Sequence, residues 1–417
     1  MSRHQPDQAQ SHLIRTMQAA LEQRDARQTR RRLTPIPASA ADFSSNDFLS
    51  LGSSPAFRDR YLENLRQVSA SHRLANNGSR LLDGNSQYAE DLERFIADFH
   101  NAPCGLLFTS GFDANVSVFS CVPQPGDIII HDELIHASTH NGMRLSRAGK
   151  RIPFKHNSVE ALELVIRTEK DRDPLINRGT RNVFVAVETV YSMDGDFAPI
   201  KEMLDAMERL LPNKNGHMIV DEAHSTGVFG PRGAGIVQAL GVEHRVFLRL
   251  HTFGKAVAAN GAIVLCSPVT RDYLLNYARP LIFTTALGLQ TLVLIRTAYE
   301  LMSQGKTEQL QKAIQERVAY LDKGLAQVAP AEKSILDVRH HTSSPIFALI
   351  TRYPRELAKM CQDRGIIARP IMSPTVAVGT ERVRVCVHAG NTVEELQKLI
   401  DTVAEWVRRK QKGLSRL

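Results

Sequence analysis

Cysteine is sparse in this 417-residue chain, and the five present (Cys104, Cys121, Cys266, Cys361, Cys386) include no C-x-x-C pair. That spacing excludes a disulfide framework and a thiolate zinc site, and leaves isolated thiols. Tryptophan occurs once, and aromatic residues are not interleaved with basic ones, so a nucleic-acid stacking platform is missing. No apolar run reaches the roughly 18–20 residues that span a bilayer. Common nucleotide and hydrolase motifs are missing too. Gly305-Lys306-Thr307 imitates the end of a phosphate-binding loop, but Glu300 stands where that loop needs glycine. No G-x-G-x-x-G follows a strand pattern, and there is no G-x-S-x-G elbow. His131 and His136 are five residues apart and would diverge on a helix, so no metal site is expected.

Hydrophobic residues make up 43% and charged residues 23%, the balance of a folded globular protein of two or three domains. The net charge of +8 is mostly dispersed; only Arg30–Arg32 and Arg408–Lys410 form tight runs. Such charges read as solvated faces, with neither nucleic acid nor membrane as partner. Residues 1–58 read as an N-terminal helix and extension, with Leu13, Met17 and Leu21 at helical spacing. Asp7, Glu22 and Asp25 argue against an acidic-poor transit peptide there. Residues 59–290 alternate helical stretches with short apolar strands at 105–108, 127–130, 183–187, 218–220, 246–250 and 262–265. That alternation predicts an α/β domain with a mostly parallel sheet covered on both faces. Residues 291–417 read as a smaller α+β domain: one long helix (292–302 running on through 310–325), strands at 346–350 and 383–387, and a helix at 393–409.

In open parallel sheets, ligands bind beyond the carboxyl ends of the strands. Four strands here run into polar clusters: Thr109–Asn115, Glu188 with Tyr191–Asp196, Asp221–His224 and His251–Lys255. A lysine in a strand-to-loop turn can form a Schiff base if its pKa falls from about 10.4. Asp221, ending a buried strand, needs a cationic partner, which a protonated pyridine ring supplies. Ser110-Gly111-Phe112, between strand and helix, offers backbone N–H groups to a phosphate. Each feature alone has an ordinary reading: a surface lysine, a helix cap, a tight turn. Together they point to pyridoxal phosphate.

The same residues resemble the α-oxoamine synthases, pyridoxal-phosphate transferases of fold type I. The resemblance runs from Phe43-Ser44-Ser45-Asn46-Asp47-Phe48-Leu49 to the C-terminal helix. It rests on Thr109–Phe112, Asp132–Ser138, Tyr191–Asp196, Val220–Gly227, Thr252–Lys255 and Pro374-Thr375-Val376. It implies that Lys255 carries the cofactor and acts as catalytic base, with His136, Asp221 and His224 as the other catalytic residues. His136 stacks on the ring, Asp221 pairs with the ring nitrogen and His224 bonds the phenolic oxygen. Ser110, Gly111, Phe112, Ser192 and Thr252 complete the cofactor site, with Thr284 and Thr285 supplied from a partner subunit. A homodimer with a shared active site is therefore implied. Asn46, Arg30 and Arg384 are the implied substrate-binding positions, Arg384 gripping the amino-acid carboxylate.

Within the family, the chain is most similar to the biotin-pathway branch that condenses L-alanine with pimeloyl-CoA. It departs from that branch at Met372 (often Arg), Ala377 (Pro) and Asn391 (His). Other members use glycine or serine, or release polyketides from carrier proteins. Non-catalytic subunits also occur, and these usually lack the lysine that is present here. Ser415-Arg416-Leu417 differs from the peroxisomal address S-K-L by one residue, so an import receptor is an expected partner and the peroxisome, or otherwise the cytoplasm, an expected location.

Overall fold

The computed structural model describes residues 11–27, 29–37, 39–329 and 333–414. Ser415, Arg416 and Leu417 lie outside the described residues. The chain divides into two compact units, one ending at Ala40 and one beginning at Ala41.

In the first unit, Ser11 caps a helix over His12–Ala26 by accepting a hydrogen bond from the Ile14 N–H. The helical spacing of Leu13, Met17 and Leu21 was read correctly, but all three side chains are exposed. Arg30 belongs to this unit, where its guanidinium is paired with Asp25 at 2.6 Å.

Among its described residues the second unit has thirteen strands: β1 (Ala41–Asp42), β2 (Cys104–Phe108), β3 (Ile128–Asp132), β4 (Lys150–Phe154), β5 (Val183–Glu188), β6 (Gly216–Asp221), β7 (Leu248–Thr252), β8 (Ala262–Cys266), β9 (Asp337–His340), β10 (Ile346–Ile350), β11 (Ile366–Ile367), β12 (Arg369–Ile371) and β13 (Arg382–Cys386). Seven of them form the large sheet, in the order β2-β8-β7-β6-β5-β3-β4. Only β8 runs against the rest, pairing antiparallel with both β2 and β7. The two reversals cancel, so β2, β5, β6 and β7 all end at one edge.

These strands are near-continuous apolar runs because both faces are covered. Ile129, Phe184 and Ile219 pack on one side with Ala114 and Val118 of the helix Gly111–Cys121. Ile128, Val185, Met218 and Val220 pack on the other with Met203 and Met207. The two-residue alternation puts Asp221 on the face of Ile219, beneath the helix Gly111–Cys121.

The smaller sheet has the order β12-β13-β10-β9 and is antiparallel throughout. The helix Val393–Leu414 packs against the helices Glu308–Val328 and Pro354–Asp363 and buries Trp406. β1 pairs with β11, so the segment bearing Asn46 is tied to this region. The single long helix expected after residue 291 is two helices, Leu289–Ser303 and Glu308–Val328. The break falls at Gly305, whose φ of +72° lies in the left-handed region that a side chain rarely tolerates.

Candidate active site

Lys255 lies in the loop between β7 and β8, three residues beyond the last residue of β7. It is half-buried, and enclosure of its amine pushes the pKa down to about 8, against the upward pull of Asp221 and Glu188. Among the described residues no carboxylate is in ion-pair contact with it. Asp221, 8% exposed, is held by two donors: Asn115 Nδ2 at 2.8 Å and the Ala223 backbone N–H at 2.9 Å. Asn115 reaches it from the helix Gly111–Cys121 and also donates to Ser138 Oγ. Ser138 in turn lies 2.7 Å from His136 Nδ1. A chain of hydrogen bonds thus links Asp221 to His136, which caps the helix Ala137–Leu145 and keeps its ring open to solvent. The charges of Asp221 and Lys255 both act on His136.

His224 is buried, and burial, together with the nearby charges of Lys255 and Arg384, holds its pKa well below the usual histidine range. Its imidazole is therefore neutral, and Nδ1 is buried with no partner. Arg384 donates from Nη2 to Asn46 Oδ1 at 2.6 Å, while its Nε is buried and unpartnered. Unmade hydrogen bonds of buried groups are costly, and two at one site mark places where a ligand supplies the missing atoms.

The helix Gly111–Cys121 begins at this edge. Ser110 Oγ caps it by accepting from the Asp113 N–H, and Asp113 fastens the turn by accepting from the Thr109 and Ser110 hydroxyls. A Cβ on Gly111 would stand 3.1 Å from Thr252 Oγ1, so any side chain there would crowd Thr252 at the end of β7. An anion fits at this helix start, a cation opposite Asp221 and a carbonyl at Lys255. Phe112 is exposed and Ser192 half-buried.

Lys255, Asp221, His136, His224, Arg384 and Asn46 are thus brought together by hydrogen bonds or mutual charge effects. Ser110, Gly111 and Thr252 meet at the start of the helix whose Asn115 holds Asp221. Thr284 and Thr285 are exposed, border a cavity with Arg80, Thr109 and Leu287, and touch Ser79 through a β-bridge at Thr285. Arg30 belongs to the first unit, where Asp25 engages it.

Four features were given no role in the sequence reading. Asn115 and Ser138 are the relay just described; a buried asparagine on an otherwise apolar helix face was the available signal. Glu188 sits directly opposite Asp221 in the β5–β6 register. Burial and the charge of Asp221 push its carboxyl well above the usual carboxylate range. His156 bridges Asp132 Oδ1 at 2.8 Å and Asp196 Oδ2 at 2.5 Å. Burial opposes its charge, but the two carboxylates overcome that and lift its pKa to about 10. This bridge ties the loop leading to His136 to the turn carrying Ser192. Arg382 Nη1 holds the same turn from β13, through Asp194 at 2.5 Å and the Met193 carbonyl.

A large parallel sheet with a lysine and an aspartate converging at its carboxyl edge, flanked by a small antiparallel sheet carrying an arginine, is the build of a fold type I transferase. Residues 39–403 match the family model for aminotransferase class I and II, and the chain belongs to that family. It is 58% identical over 402 residues to an 8-amino-7-oxononanoate synthase of Emericella nidulans, covering 96% of this chain and 98% of that one. It is 39% identical over 410 residues to the aminoacyl transferase sphA of Aspergillus fumigatus, covering 94% and 87%. The fold matches the serine palmitoyltransferase of S. paucimobilis, solved with a bound PLP–myriocin adduct, at a TM-score of 0.81 and 23% identity, covering 96% of this chain and 99% of that one. These findings bear out the resemblance to the α-oxoamine synthases. No described helix is long and apolar enough to cross a membrane.

Proposed function

We propose that this chain holds pyridoxal 5′-phosphate and condenses L-alanine with pimeloyl-CoA, giving 8-amino-7-oxononanoate, free CoA and carbon dioxide. The observation that carries the reading is the meeting of Lys255, Asp221 and an unpartnered His224 Nδ1 at one edge of the sheet. The 58% identity to a synthase named for that product supports the substrate pair. When bound, pyridoxal phosphate supplies an electron sink for the pair released at the amino acid Cα.

The chain's own groups do the rest. Lys255, with a pKa near 8, has a sizeable unprotonated fraction near neutral pH, so it can attach the cofactor carbonyl and then take and return a proton at Cα. Asp221, fixed by Asn115 and the Ala223 N–H, would pair with the ring nitrogen. His136 offers an open ring face on which the cofactor would stack, and His224 Nδ1 would bond its phenolic oxygen. Ser110, Gly111, Phe112 and Thr252 receive the phosphate at the helix start, with Ser192 nearby. Arg384, oriented by Asn46, holds the alanine carboxylate that is later lost.

The exposed Thr284 and Thr285 support a homodimer in which each subunit completes its partner's phosphate site, and Arg30 is kept as a substrate-binding position on the resemblance alone. Ser415-Arg416-Leu417 supports peroxisomal import, which a fluorescent fusion ending in these residues, with and without them, tests by its location. The decisive assay pairs alanine, glycine and serine with pimeloyl-CoA and with other acyl-CoAs, scored by carbon dioxide release. Alanine with pimeloyl-CoA is expected to turn over fastest; preference for glycine or serine overturns the assignment.

A further inference from the structure

β12 and β13 run antiparallel, and their register sets Arg369 directly opposite Arg384. Residues so opposed project from the same face of the sheet with Cβ atoms about 5 Å apart. Both arginines therefore stand on one face of the sheet, the face from which Arg384 reaches Asn46. Like charges placed this way repel, and a folded chain normally offsets them with a carboxylate. One row along, it does so: Arg382, opposite Ile371, is neutralised by Asp194.

In the Arg369–Arg384 row the offset is missing. Arg384 has a neutral amide oxygen and an unpartnered Nε. Arg369 is half-buried and, among the described residues, its side chain has no hydrogen bond, ion pair or ring contact. The protein thus presents two positive charges and supplies neither with an anion. An amino acid brings one carboxylate, which Arg384 takes. A second anion is left to be accounted for, and a planar five-donor fork is suited to a carboxylate or a phosphate. The residues after Arg369 add an apolar wall, Ile371 and Met372 being half-buried and Val376 buried. A chain of methylene groups ending in a charge suits that combination.

We propose that Arg369 determines acyl specificity by binding the distal carboxylate of a dicarboxylic acyl-CoA, while Arg384 beside it holds the amino acid. The inference rests on the function proposed above and names the residue that tells a dicarboxylic chain from a neutral one. Met372, where the related branch often has arginine, then costs the site nothing, because the charge is delivered from Arg369 on the adjoining strand.

The test compares the wild-type holoenzyme with Arg369→Met and Arg369→Lys. The acyl donors are pimeloyl-CoA and heptanoyl-CoA, which share chain length and coenzyme and differ only in the distal carboxylate. Arg369→Met is expected to raise KM for pimeloyl-CoA at least tenfold, leave KM for heptanoyl-CoA and for alanine within twofold, and leave kcat with heptanoyl-CoA unchanged. Arg369→Lys should recover part of the loss. Calorimetric titration of each acyl-CoA without alanine should repeat the split in Kd. An equal loss for both acyl-CoAs would assign Arg369 to the coenzyme phosphates or to the fold, and a raised KM for alanine would assign it to the amino acid; either overturns the proposal, as does no change. If wild type fails to use pimeloyl-CoA, the proposed function itself falls. If wild type uses it and Arg369→Met matches wild type, only the role of Arg369 falls.

Discussion

His156 should make the stability of this protein fall as pH rises above neutrality. An unfolded histidine titrates near 6.5, whereas between Asp132 and Asp196 this one titrates near 10. A pKa raised by folding contributes stability that is fully present below 6.5 and is lost as pH climbs through 10. At 1.36 kcal/mol per unit, the 3.5-unit difference contributes on the order of 4 kcal/mol at pH 6.5 and almost nothing at pH 10. The side chain is only 19% exposed, so solvent screens little of this. Urea unfolding of wild type and His156→Gln, followed by far-UV circular dichroism at several pH values, isolates the contribution, because every other titrating group is common to both. The gap between the two proteins should shrink by about 4 kcal/mol across that window. Parallel curves would mean that the imidazole is not charged in the folded state, and the clamp between the His136 loop and the Ser192 turn would have to be abandoned.

Arg382→Met should destabilise the fold by about 3 kcal/mol, because it strands Asp194 without its cation; denaturant midpoints check this, and a change below about 0.5 kcal/mol would contradict it. Asn115→Leu removes one of the two hydrogen bonds that hold Asp221, a loss of about 2 kcal/mol for a bond to a charged group, so cofactor affinity should fall more than tenfold by fluorescence titration. Unchanged affinity would make Asn115 a packing residue only. The apoprotein should capture pyridoxal phosphate at a rate that rises with pH and levels off above about 8, the pKa of Lys255; a rise continuing toward 10 would mean the amine is not perturbed.

The sequence was most legible where one residue both ends an apolar run and carries charge. Asp221 and Lys255 stand at the ends of buried runs in a chain whose alternation already implied a parallel sheet, so their edge could be inferred before any fold was seen. Asn46 and Arg384 were harder: their 2.6 Å contact joins residues 338 apart, and only the resemblance to known synthases singled them out. Bonds between side chains of different loops left no periodic trace. The His156 clamp and the Asn115–Ser138 relay depend on how three turns meet at the sheet edge, which neither spacing nor propensity encodes. The pairing of Arg369 with Arg384 depends on register, and β12 is three residues long, too short for an alternating pattern to declare it. The helix break at Gly305 was misread for the opposite reason, because the apolar periodicity continues on both sides of the turn.

The central claim is that Lys255 is the attachment point of the cofactor opposite Asp221. Borohydride reduction of the holoenzyme, followed by digestion and mass spectrometry, tests it most directly: the pyridoxyl group should be found on the peptide containing Lys255 and be lost in Lys255→Ala. A pyridoxyl group on any other lysine, or none on the wild-type protein, would contradict the account.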